Sequence, residues 1–471
     1  MTKFGLNPCY YGFGKEHWRD RCESEGDYSS AWGKLGFMPQ NPSNPESVVD
    51  ELSTLLTSGR LNVQSRNKIK DLFSETEDNQ SGLRLAQQLI SVTPEFHSTN
   101  LMELNGESRS DPEPVQPSSR PYKAIVFLNL HGGSDSSNFI VPHSQCSSTD
   151  MYAQYAEQRG SVAIAKSRLL KIDAGEESHV CDKFGIHPDL PALKSLYDNS
   201  DLSFFLNTGF LFEYVNKENW EVKTPTQLFA HNIQQGDIQR IDPKDERFGT
   251  GFLGRMADAL TGQGYTTGSF SSGEQMVLNG EPQKSPTVTT VSPDGGVPRF
   301  NQKPSISNMR DIIFDLNGLS TKMSGVFGKT WSNMVDEYTH QYKQFRTALG
   351  NVDYTQQYPN NYLGRQLSMV SSIMQMKDAF GQDRQFFYVE SGGWDTHLQQ
   401  ALDDATLIPE LNNNLDAFVQ TTKAQGLWDN VLVIVASEFG RTFMANSGAG
   451  TDHGWGGKHN SVILLYLFYP I

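Results

Sequence analysis

Positive charge is scarce in this sequence. The 39 lysines and arginines face 54 aspartates and glutamates, a formal net charge of −15 with a pI near 5.2. Such a chain lacks the basic face needed to bind along nucleic-acid phosphates, so nucleic acid is not an expected partner. An anionic substrate is admissible only where a metal or a local arginine offsets the field. Long apolar runs are also missing: nothing reaches the roughly 18 residues of a membrane span. The opening MTKFGLNPCYYGFGKEHW has no apolar core of the kind a signal peptide needs. Cysteine is rare, and Cys9, Cys22, Cys146 and Cys181 form no CxxC pair, which argues against a structural zinc site. Their spacing as two local pairs fits disulfides and free thiols equally. There is no GxSxG elbow and no GxxxxGK[ST] phosphate loop. GTGFLGR (249–255) lacks a dinucleotide fingerprint, and no cysteine stands out as a nucleophile.

At 471 residues the chain exceeds what one core usually serves, so two domains are expected. Residues 45–97 read as helical. PESVVDELSTLLTSGRL spaces Val48, Val49, Leu52, Leu55 and Leu56 along one face with Gly59 as a C-cap, and SGLRLAQQLISVTPEF repeats the pattern up to Pro94. NGESRSDPEPVQPSSRPY (105–122) is rich in proline, serine and charge and reads as a linker. The expected division is therefore a helical segment 1–104, the linker 105–122 and a main domain 123–471.

In that main domain KAIVFLNLHGG, DLSFFLNTG (201–209), RQFFYVESGG and DNVLVIVASEFG (429–440) are continuous apolar runs, as in strands buried on both faces. Helical patterns at 189–199 and 407–426 lie between them. The alternation predicts an α/β fold: a parallel sheet with helices on both faces. The segment 266–298 reads as a loop-and-strand insertion.

Ligands bind beyond the carboxyl ends of such strands, and three of the runs end in polar clusters. HGGSDSSN supplies His131, Asp135 and Asn138. GGWDTH supplies Asp395 and His397. SEFGRT supplies Ser437, Glu438 and Arg441, followed by NSGAGTDHGWGGKH with Asp452, His453 and His459. Taken singly, each cluster reads as turn and cap chemistry. Together at one end of one sheet they read as a site. Carboxylates mixed with imidazoles suit zinc, manganese or iron(II), whereas an all-oxygen set suits magnesium or calcium. The glycines read as clearance around a ligand. His187 in FGIHPDL reads as a helix-entry histidine, and Trp394 and Trp455 as core.

These motifs, with FGIHPDLPALKSLY, LFAHNIQQ and GFLGRMADAL, occur in the order found in the bacterial family called domain of unknown function 1501, which the chain resembles over about 123–460. That family is regarded as a branch of the alkaline phosphatase and sulfatase superfamily, so the resemblance implies an alkaline-phosphatase-like core, a divalent metal (zinc, manganese, calcium or magnesium) and a small anionic ester substrate. It implies Asp135, Asp395, His397, Glu438, Asp452 and His453 as metal ligands, His231 and Arg441 as catalytic residues, and Asn138 and Arg441 as substrate contacts. Relatives are commonly exported, so export is what the resemblance implies by analogy, although the chain's opening shows no signal peptide. Two departures stand out. The family's usual LFSHN reads LFAHN here, putting Ala230 where a nucleophilic serine would sit. The ending HNSVILLYLFYPI departs from the family's glycine-rich close, and is expected to be either an edge strand or an exposed, aggregation-prone segment of a truncated chain. The helices at 45–97 resemble the tail of domain of unknown function 1800, as if a fusion had lost its front end.

Overall fold

The computed structural model describes residues 37–99, 103–108, 115–292, 309–352, 357–454 and 462–467, apart from the short internal stretches 148, 176–179, 210–214, 217, 225, 243–248, 274, 282–287 and 324–325. Cys9, Cys22, Trp455 and His459 lie outside them. The chain forms two compact units, one of 1–113 with 299–343, the other of 114–298 with 344–471.

The first unit is built on three short helices, each started by a side-chain cap. Asn44 accepts from the backbone of Glu46 and Ser47 ahead of Pro45–Thr57. Asn62 caps Val63–Ser74, and Asp78 caps Asn79–Ser91. Their apolar faces (Val48, Val49, Leu52, Ile69, Phe73, Leu85, Leu89, Ile90) close on Ile312 and Leu316. Leu55, expected on the same face, is exposed. The strand Glu103–Ser108, which begins two residues ahead of the stretch read as linker, pairs antiparallel with Leu319–Met323.

The second unit holds a seven-stranded sheet. Its strands are β1 (Lys123–Leu130), β2 (Ser203–Thr208), β3 (Thr267–Ser271), β4 (Thr289–Thr290), β5 (Arg384–Ser391), β6 (Val431–Ala436) and β7 (Val462–Leu467). They lie in the order β2-β7-β6-β1-β5-β3-β4. Neighbours are parallel from β6 through β4; only β7 runs antiparallel, to β6 and to β2. The C-terminal apolar run is thus an interior strand rather than an edge or a loose end, and the 266–298 segment supplies one margin of the main sheet.

Helices cover both faces. Phe386 and Tyr388 of β5 pack with Phe127 of β1 against Ile238 of α2 (His231–Arg240) and Leu253 and Ala257 of α3 (Phe252–Gly262). The alternate residues Phe387 and Val389 face Met369, Val370 and Ile373 of α4 (Tyr362–Gln375), as the two-residue period of a strand requires. Two further helices, α1 (Met151–Arg159) and α5 (Gln400–Ala424), flank the loops described below.

Register sets the position of the site. Ser391 pairs with Leu130, and Ala436 with Asn129. The three central strands end level, so the polar clusters that follow them emerge side by side. A separate three-stranded sheet (Ile140–Cys146, Cys181–Ile186, Leu170–Asp173) carries a disulfide between the directly paired Cys146 and Cys181.

Candidate metal centre

Two loops and one helix start bring the side chains of the site together, with the loop after β1 seated against them. The loop after β5 brings Asp395 and His397, and the loop after β6 brings Glu438, Arg441, Asp452 and His453. The latter loop is closed on itself by a two-residue ladder between Gly440–Arg441 and His453–Gly454. His231 is the first residue of α2. Glycine permits the close seating of these loops: Gly132 has φ +130°, and a side chain there would strike the backbone of Asp395, while one at Gly450 would strike that of His397. The glycines give clearance to neighbouring loops.

Ligand atoms of His231, Asp395 and His453 lie within 4.8 Å of one another. His453 Nε2 is 3.1 Å from His231 Nε2 and 2.9 Å from His397 Nε2. Asp395 Oδ1 is 3.1 Å from His397 Nε2 and 3.3 Å from His453 Nε2. What fixes the chemistry is the far side of each ring. His231 Nδ1 donates to Glu438 Oε1 at 2.8 Å, His397 Nδ1 to Asp452 Oδ1 at 2.9 Å, and His453 Nδ1 to the Phe229 carbonyl at 2.7 Å. Each partner can only accept, so each Nδ1 carries a proton, and each ring in its neutral form turns a bare Nε2 lone pair inward. In that form three lone pairs and the Asp395 carboxylate face one another. Convergent acceptors repel unless a cation sits among them, and imidazoles held through the second nitrogen by carboxylate or carbonyl are the usual metal-ligand arrangement. The residues fit a divalent ion.

The carboxylates are ionised. Partial burial acts to raise the Asp395 pKa, but the hydrogen bond and charge of Arg441 hold it below the usual range. Glu438 is buried, which acts to raise its pKa, yet hydrogen bonds from His231 and the Gly132 N–H hold it low. At exposed Asp452 the His397 hydrogen bond lowers the value. The Phe439 ring lies 4.7 Å from the His231 and His453 rings and supports both.

The remaining candidates are engaged by other partners. Arg441 is buried, and its guanidinium donates to the carbonyls of Gly133, Thr451 and Gly132 and to Asp395. That engages four of its five N–H groups. Asp135 is fully buried against Arg159 at 2.7 Å. Its Oδ2 also receives Gln400, and its Oδ1 receives the Ser137 N–H. Burial acts to raise its pKa and the Arg159 charge lowers it below the usual value. Asn138 bonds the Val162 carbonyl and the Tyr155 hydroxyl. His187 accepts the Asp189 N–H on entry to the helix Pro191–Asp198, and Trp394 is core. Sequence reading missed Gln235, which reaches both His131 and Glu438. It lies one helical turn after His231, so its spacing was the available signal. The Phe229 carbonyl left no signal, since any residue supplies one.

These features define an α/β domain of largely parallel strands that carries a histidine–aspartate cluster beyond their carboxyl ends. The chain belongs to the family described as Protein of unknown function (DUF1501), which matches residues 122–460. No match supports the resemblance of residues 45–97 to domain of unknown function 1800. No curated protein matches the sequence. Among solved structures, the C-terminal periplasmic domain of EcEptC from Escherichia coli, in complex with Zn, is similar at 9% identity and TM-score 0.33, covering 76% of this chain and 77% of that one. Lipoteichoic acid synthase LtaP from Listeria monocytogenes is similar at 10% identity and TM-score 0.28, over 77% and 69%. At these values neither likeness adds to the reading of the site.

Proposed function

We propose that His231, His397, His453 and Asp395 bind one divalent metal ion and that the site hydrolyses phosphate or sulfate esters, the activity implied by the family's place in the alkaline phosphatase and sulfatase superfamily. The observation that carries the metal is the convergence of three imidazole Nε2 atoms on the Asp395 carboxylate, those of His397 and His453 on its Oδ1 and that of His231 on its Oδ2 at 3.5 Å. A nitrogen-rich set favours zinc, manganese or iron(II) over magnesium or calcium. When bound, such an ion supplies Lewis-acid polarisation of an ester oxygen and acidifies water. The protein's own groups do the rest: Glu438, Asp452 and the Phe229 carbonyl hold the ring tautomers, and Arg441 keeps Asp395 ionised and oriented. Ala230 offers no hydroxyl, so water is the nucleophile. Its oxygen bonds to phosphorus or sulfur, the ester bond to the alkoxide oxygen breaks, and the alcohol departs with a proton.

A second reading, a metal-stabilised binding or structural protein, is favoured by Ala230 and by the inward engagement of Arg441. Metal analysis of purified protein beside an Asp395→Ala/His397→Ala variant tests the centre, and the absence of stoichiometric metal from the natural chain ends both readings. Screening aryl phosphates and sulfates with the natural chain and Ala230→Ser separates them. Turnover by the natural chain supports the hydrolase; turnover only by Ala230→Ser supports the second reading.

A further inference from the structure

The loop that carries Asp452 and His453 is tied down at Thr451, which is fully buried. Its hydroxyl lies 2.9 Å from Gln400 Oε1 and 3.3 Å from Asp135 Oδ2. Its carbonyl accepts Arg441 Nη1 at 2.6 Å, and its N–H donates to the Thr396 carbonyl at 3.1 Å, between Asp395 and His397. Gln400 Nε2 in turn donates to Asp135 Oδ2 at 2.8 Å, the oxygen that also holds Arg159 at 2.7 Å. Arg159 continues to the Phe443 carbonyl in the same loop. A buried ion pair with these hydrogen bonds has one low-energy arrangement, because moving either partner leaves a charge unpaired. Through Thr451 that arrangement reaches both Arg441, which holds Asp395, and the segment bearing His453.

Resting on the metal reading above, we propose that Asp135 and Thr451 are positioning residues: the buried Asp135–Arg159 pair fixes Thr451, and Thr451 sets the spacing of His453 and Asp395 for the ion. Asp135 then acts behind the site instead of ligating in it. This gives the threonine hydroxyl a role that substitution by valine, of nearly equal volume, isolates.

The test is zinc affinity of the full chain by competition with a chromophoric chelator, together with the visible spectrum of the cobalt(II) form, for the natural chain, Thr451→Val and Thr451→Ser. Removal of an outer hydrogen bond in a metal site costs on the order of 10- to 100-fold in affinity. Thr451→Val should lose that much and shift the cobalt bands, and Thr451→Ser should recover most of it. If Thr451→Val folds poorly, Gln400→Met cuts the same network from α5 and should weaken zinc in the same direction. Zinc binding by the natural chain with unchanged affinity and spectrum in the variants overturns the proposal alone. No binding by the natural chain overturns the metal reading beneath it.

Discussion

His453 Nδ1 donates a 2.7 Å hydrogen bond to the carbonyl of Phe229, a residue that holds φ at +66°. Left-handed backbone at a bulky residue costs on the order of 1 kcal/mol or more and persists where surrounding structure over-determines it. The hydrogen bond holds the His453 ring with Nε2 turned inward, and facing lone pairs are unfavourable without a cation. Zinc should therefore raise the unfolding temperature markedly against chelator-treated protein, by about 2.7 kcal/mol of stability at a hundredfold excess over Kd. Magnesium at equal concentration should do much less. Equal effects of the two ions in a calorimetric scan would remove the nitrogen-rich site from the account.

Ala230 is the N-cap of α2, and no side chain caps that helix start. Ala230→Ser supplies an acceptor for the free N–H groups and should stabilise the protein by about 1 kcal/mol. Urea denaturation of the metal-free protein measures this apart from any catalytic gain. A neutral or negative change means that position 230 does not behave as a cap.

The Cys146–Cys181 disulfide closes a separation of 35 residues, with Cys181 fully buried. Its loss should cost about 3–4 kcal/mol by the loop-entropy argument. The Cys146→Ser/Cys181→Ser double variant, compared by thermal denaturation, gives the number. Such a bond belongs to an oxidising compartment, so a non-reducing peptide map of the protein from its native host should contain the cross-linked pair. Two free thiols there would count against it.

Burial pushes the His187 pKa down to about 4, outweighing the nearby Asp189 charge. As pH falls below about 6.5, the unfolded chain takes up this proton before the folded one does. Stability from this group is complete above 6.5 and is lost as pH drops towards 4, a difference of up to about 3 kcal/mol. His187→Gln keeps an acceptor for the Asp189 N–H and should flatten the stability profile across that window. Parallel profiles for the two proteins would show that His187 does not titrate as described.

The sheet was legible where apolar runs were long and closed by glycine, as with β1, β2, β5 and β6. It was not legible at β7, because an apolar run does not state its partner: Val433 pairing with Leu467 is a fact of topology. The site was legible as a set of residue types at strand ends. What type cannot separate is a carboxylate facing an ion from one standing behind an imidazole, and Glu438 and Asp452 both sit on the Nδ1 side. Arg441 shows the same limit, since only the three surrounding carbonyls reveal that its guanidinium points inward. Gln400 carried no motif at all, and Thr451 stood inside one without a residue type that marks a ligand.

Strand β1 lies between β5 and β6, which follow it in the chain by hundreds of residues. The middle of the sheet can pair only after most of the polypeptide is available, and closing such long loops before any contact forms makes folding slow. Until then β1, apolar along nearly its whole length, has both edges open to other chains. In a refolding experiment zinc affinity should return with the slowest phase, and losses to aggregation should fall before that phase.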